Sequence, residues 1–211
     1  MPVTRFLEYL TPDLLSLGTD LIRWLYQHWT ATGFMYRVQD CEVNLTILDT
    51  KGKKAVYRKH QQVKFLQDTI AYQDQAWGEG NIFADYKCSP GIPVDRYQDG
   101  NRWRVLISLR ENKNRGQEEE FHVERTIEDG FTDASGYFQI KVDHPTAHLS
   151  ISVTFPNKRP PRRVILVEQN RNRTRILGAE HIHKLPSGQF RVEWETIRPR
   201  LFEMYTLRWE W

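Results

Sequence analysis

Hydrophobic and polar positions follow two different periods along this chain, a helical one before Gly33 and an alternating one after it. Thr11-Pro12-Asp13 supplies a helix start: threonine caps free N–H groups, proline suits the first helical position, and aspartate complements the positive helix end. At about 100° per residue, Leu14, Leu17, Leu21, Ile22, Leu25 and Trp29 share one half of the helical wheel. Asp13, Ser16, Asp20, Arg23, Gln27 and Thr30 fill the other half. The pattern predicts an amphipathic helix to about Trp29, ended by Thr32-Gly33, with an apolar face wide enough to need a partner surface.

From Phe34 onward the period is two. Cys41, Val43, Leu45 and Ile47 alternate with polar neighbours, Asp49-Thr50-Lys51-Gly52 offers a turn, and Ala55 and Tyr57 resume, which predicts a hairpin. Val63 to Tyr72 suits either a strand or a short helix. Ala76 to Gly100 carries Gly78, Gly80, Pro90, Gly91, Pro93 and Gly100 and is the most loop-like stretch, too long for a plain connection. It is expected to hold a short strand near Asn81 to Tyr86 or to act as a binding loop. Further strands are predicted at 103–109, 120–127, 137–142, 149–155, 164–168, 181–185, 190–195 and 204–211, separated by turn signals such as Asn114-Arg115-Gly116 and Pro186-Ser187-Gly188.

Many short strands without alternating helices indicate a mainly β fold, an antiparallel β-sandwich or partly open barrel preceded by the N-terminal amphipathic helix. The expected division is a helical segment over 1–33 and a β-rich domain over 34–211, with a further boundary, if any, inside 76–102. A length of 211 residues with 39% hydrophobic positions is enough to bury a core without disulfides. Cys41 and Cys88 lie far apart and form no ligand pattern, which fits a reducing compartment. Met1 to Leu10 lacks the apolar run of a secretory signal, and Leu14 to Tyr36 is interrupted by Asp20 and Arg23, so no membrane span and a cytoplasmic location are expected.

Candidate chemistry is sparse. His144 and His148 flank Pro145, and His181 and His183 stand two apart on a predicted strand, where side chains share a face. Neither pair comes with a complete ligand set, so no metal and no cofactor are expected. The phosphate-binding and hydrolase signatures are missing, and no catalytic residue is assigned.

Net charge is only +3, yet two segments are locally basic. Lys53, Lys54 and Arg58 flank the first hairpin turn, while Arg162, Arg163, Arg171, Arg173 and Arg175 form a second group; both suit phosphate contacts or the charged edges of a sheet. Trp77, Phe83, Tyr86 and Tyr97 mark the loop-like stretch as a recognition surface or as anchors to the core.

These features together predict a non-enzymatic β-rich interaction or sensor/adaptor module that binds a protein partner or self-associates through its helix and aromatic loop. The alternatives are nucleotide or nucleic-acid binding through the basic turns, and a hydrolase built on the histidines.

Overall fold

The alternation that begins at Tyr36 becomes β1 (Tyr36–Ile47), which pairs antiparallel with β2 (Lys54–Phe65) across the predicted hairpin. The computed structural model of the protein describes residues 33–100 and 102–211, and the account below concerns the unit Met35–Trp211. The predicted helix, with Leu14, Leu17, Leu21, Ile22, Leu25 and Trp29, lies outside the described residues.

The hairpin turn is built on Asp49, whose carboxylate accepts the backbone N–H of Lys51 and Lys54, each at 2.8 Å. Gly52 completes it at φ +69°, where a Cβ would lie 1.8 Å from the carbonyl oxygen of Phe131. Only glycine fits there, because the backbone is left-handed and the neighbouring atom is main chain.

The stretch read as loop-like is instead mostly strand. β3 (Thr69–Ala76), β4 (Asn81–Ser89) and β5 (Ile92–Asp99) follow one another with short turns, and the glycines and prolines lie in the turns or at strand ends. β5 is an edge strand, which explains its tolerance of Pro93. The chain continues through β6 (Arg102–Lys113), β7 (Glu118–Glu128), β8 (Ser135–Lys141), β9 (Thr146–Phe155), β10 (Arg163–Glu168) and β11 (Arg173–Ile176). A 3-10 turn at Ala179–His181 leads to β12 (Ile182–Lys184), β13 (Phe190–Ile197) and β14 (Met204–Glu210).

Three sheets result: a seven-stranded one ordered β12-β13-β9-β1-β2-β7-β4, a four-stranded one ordered β11-β10-β14-β8, and a three-stranded one ordered β3-β6-β5. Pairing is antiparallel except between β1 and β9, which run parallel. A parallel neighbour needs a long crossover. Here the crossover is the whole of β2 to β8, which brings β9 back to the open edge of β1, where Val38 N–H donates to Pro145 O at 2.8 Å.

Both smaller sheets pack on one face of the large sheet. Tyr57 meets Phe138 with ring centroids 5.9 Å apart, Phe155 meets Trp209 at 5.3 Å, and Trp194 meets Tyr205 at 5.0 Å, joining the four-stranded sheet. Tyr72 stacks on Phe121 at 3.8 Å, joining the three-stranded sheet. The inner face is apolar because the period-two residues Val43, Leu45, Ile47, Phe121, Val123, Ile151 and Val153 all point inward and are buried. No helix among the described residues is long and apolar enough to cross a membrane.

Candidate functional site

Two basic side chains occupy inward positions of the large sheet, Lys59 in β2 and Arg125 in β7. They are treated differently by their surroundings. Lys59 Nζ lies 2.5 Å from Asp74 Oδ1 and donates to Tyr72 Oη at 3.0 Å, while Tyr86 Oη donates to Asp74 Oδ2 at 3.1 Å. Tyr72 in turn donates to Gln61. Burial alone would lower the lysine's pKa, but the facing Asp74 carboxylate holds it well above its ordinary value, so Lys59 stays an ammonium and is no base or nucleophile.

Arg125 forms no ion pair among the described residues. Its side chain is only 4% exposed, and Nε and Nη1 are buried without a hydrogen-bond acceptor. The guanidinium carbon lies 4.1 Å from the ring centre of Tyr57 and 5.9 Å from that of Phe83. Desolvated cation–π contacts contribute about 2 kcal/mol. The effective penalty for burying an ion is several kcal/mol per charge, so the aromatic contacts offset only part of it.

Arg125 lines a cavity of about 430 Å³, beside the β7 end of the large sheet and the β8 edge of the four-stranded sheet. Ile82, Ile127, Phe131, Phe138 and the two indoles of Trp77 and Trp209 give it apolar walls. Both indole Nε1 atoms are buried and also lack an acceptor. Three residues of the cavity wall thus carry buried donors without an acceptor among the described residues, and none carries an orphan acceptor. An indole N–H and a guanidinium can only donate, so this set calls for acceptor oxygens. Arg163 and Arg208 lie on the same lining, balanced by Glu79, Asp133 and Glu210, which leaves Arg125 as the deeply buried charge.

A smaller void of about 80 Å³ lies where β3 and β8 face each other, and Lys59 and His144 line it. Asp143 ties the two small sheets there, accepting from Arg102 at 3.2 Å and Lys141 at 2.8 Å. His144 stacks on Tyr36 at 4.0 Å, and burial lowers its pKa to about 4. Burial pushes the Cys41 thiol up to about 12 and raises that of Cys88, so neither is a poised thiolate.

The other residues singled out by sequence are dispersed. His148 Nδ1 pairs with Asp40 at 2.6 Å, His181 Nδ1 meets Glu193 O at 3.0 Å, and His183 is exposed on β12. Arg58 pairs with Glu124 at 2.6 Å and Arg171 with Glu168 at 3.4 Å. Lys53 and Lys54 are exposed at the β1–β2 turn, Arg162 and Arg163 at the start of β10, and Arg173 and Arg175 on the edge strand β11. Trp77 lines the cavity and Phe83 packs on Trp103 with centroids 5.9 Å apart, beside the bonded Tyr86; Tyr97 is exposed and accepts from Gln73 at 3.2 Å.

Sequence reading passed over Arg125, although the signal was present. In Phe121-His122-Val123-Glu124-Arg125-Thr126-Ile127 the arginine shares the phase of Phe121, Val123 and Ile127, the buried face. On the opposite phase, His122 and Glu120 meet His60 of β2 and form a group whose donor atoms lie within 4.8 Å of one another, suited to a metal ion.

No protein-family model and no curated protein matches this chain. Among solved structures it is similar to an M1 zinc metallopeptidase from Deinococcus radiodurans, at 9% identity and a TM-score of 0.46, over 82% of this chain and 42% of that one. A Legionella pneumophila aminopeptidase A in complex with aspartic acid is similar at 10% identity and a TM-score of 0.47, over 84% of this chain and 21% of that one. The chain thus spans less than half the length of either, and neither family nor activity follows from the likeness.

Proposed function

We propose that this chain is a non-enzymatic β-rich sensor module whose ligand is a small molecule with an anionic group and an apolar body, held between the sheets by Arg125. The observation that carries this reading is the buried guanidinium, without a carboxylate partner among the described residues, on the wall of a cavity of about 430 Å³. That volume falls in the range of about 300–1,000 Å³ usual for small-molecule sites. A carboxylate or phosphate would satisfy Arg125 through charge-assisted hydrogen bonds. Phe131, Phe138, Ile82 and Ile127 would cover its apolar part. Lys59, held protonated by Asp74, and the Cys41 thiol, raised by burial, line the smaller void and are not poised as bases or nucleophiles.

The test is a thermal-shift and calorimetry panel of aromatic carboxylates, aliphatic dicarboxylates, inorganic phosphate and nucleoside phosphates on the wild-type chain and on Arg125→Gln. At least one class is expected to raise the melting temperature in a concentration-dependent way, as binding to the native state requires. The rise should vanish in Arg125→Gln. A panel without any shift, or a shift that Arg125→Gln retains, would refute the reading.

A further inference from the structure

The outer face of the large sheet, away from the cavity, carries a second constellation. Pairing places Glu42 opposite His60 and His60 opposite His122, in one row across β1, β2 and β7. Glu120 precedes His122 by two residues and so shares its face. The His60 and His122 rings stack with centroids 4.6 Å apart and planes within 12°. His60 Nε2 lies 3.7 Å from Glu120 Oε2, too far for a hydrogen bond, and is buried without a partner. The neighbouring row shows what an ordinary polar pair on this face looks like: Arg58 and Glu124 close to 2.6 Å.

We infer that His60, Glu120 and His122 bind a divalent first-row transition-metal ion, with zinc the best fit. An ion slightly off the line joining two atoms 3.7 Å apart would sit at about 2.0–2.1 Å from each, the usual zinc–nitrogen and zinc–oxygen distance. Rotation of the exposed His122 ring about its side-chain bonds then delivers the third donor. Two imidazoles and one carboxylate are the ligand types that favour zinc over calcium or magnesium, and a fourth position is left for water. A neighbouring set, Asp40, Glu42 and His60, shares His60, but Asp40 is already held by His148 at 2.6 Å, so the set with His122 is the freer one. The metal site shares no residue with the Arg125 cavity and does not depend on it.

The whole chain, stripped with a chelator and dialysed, is titrated calorimetrically with zinc in a non-coordinating buffer. One equivalent is expected to bind in the micromolar range or tighter, and cobalt is expected to give visible ligand-field bands at the same stoichiometry. His122→Ala and Glu120→Gln change exposed positions, so each should weaken zinc by at least about tenfold without lowering the melting temperature of the metal-free protein. His183→Ala and Arg125→Gln should leave the titration unchanged. Absence of saturable zinc binding, or equal binding by His122→Ala and the wild type, overturns the site.

Discussion

Lys59 and Asp74 form an ion pair at 2.5 Å in which the carboxylate is fully enclosed and the ammonium almost so. The pair joins the seven-stranded sheet to the three-stranded one, so it sits where separation of the layers would expose it. Removing one partner of such a pair leaves an uncompensated buried charge, which costs about 3–5 kcal/mol. Asp74→Ala is therefore expected to lose about that much stability in urea denaturation, whereas the double change Lys59→Met with Asp74→Leu should lose far less. Equal losses in the two variants would mean that packing around the pair, and not its charge, holds the sheets together.

Gly136 of β8 lies against the indole of Trp209. A Cβ at this position would come within 2.6 Å of Trp209 Cζ2, part of a rigid, buried ring. Gly136→Ala should thus destabilise the fold by about 1–3 kcal/mol through overpacking, measured as a lowered denaturation midpoint. It should also change Trp209 fluorescence. A neutral substitution would show that the indole has space to move, and so that the cavity wall is less rigid than this contact implies.

The alternation of Cys41 to Ile47, Trp103 to Leu109 and Phe121 to Ile127 was legible in the sequence because each strand buries one face only, which fixes a period of two. The loop reading of Ala76 to Gly100 failed for a physical reason: β4 and β5 lie at sheet edges and expose most of their residues, so they leave little apolar pattern. The parallel contact of β1 with β9 and the meeting of His60 with His122 are long-range pairings, which no local period encodes. Arg125 stood in plain phase with buried neighbours, but sequence alone does not say whether such a charge finds a partner.

Acid and alkaline limbs of the stability profile should be separable by histidine. Burial lowers His144 to about 4 in the folded chain against an ordinary 6.5, so between those values the unfolded chain binds more protons and stability falls as pH drops. His148 is shifted the opposite way, chiefly by its hydrogen bond to Asp40. Its contribution is complete below about 6.5 and is lost as pH rises through the raised folded value. Melting temperature against pH should flatten on the acid side in His144→Phe, which keeps the stack on Tyr36, and on the alkaline side in His148→Asn. Profiles of both variants parallel to wild type would contradict these assignments.

Arg125 should set ligand response against stability. Its charge is desolvated and has no ion-pair partner among the described residues, and replacement of buried ionic groups by apolar ones of similar volume often stabilises by about 1–4 kcal/mol. Arg125→Met keeps an unbranched apolar stem and removes the guanidinium, and with it the charge, the donors and the cation–π contact with Tyr57. The variant is expected to unfold at higher urea concentration than the wild type while losing the thermal shift given by anionic ligands. The two effects share one cause, because a site held ready for an anion is unfavourable until the anion arrives. Saturating ligand should then bring the wild type up to or beyond the stability of Arg125→Met. If Arg125→Met is instead less stable than the ligand-free wild type, the guanidinium is held by its aromatic neighbours as a structural group, and the cavity's claim to an anionic ligand loses its main physical support.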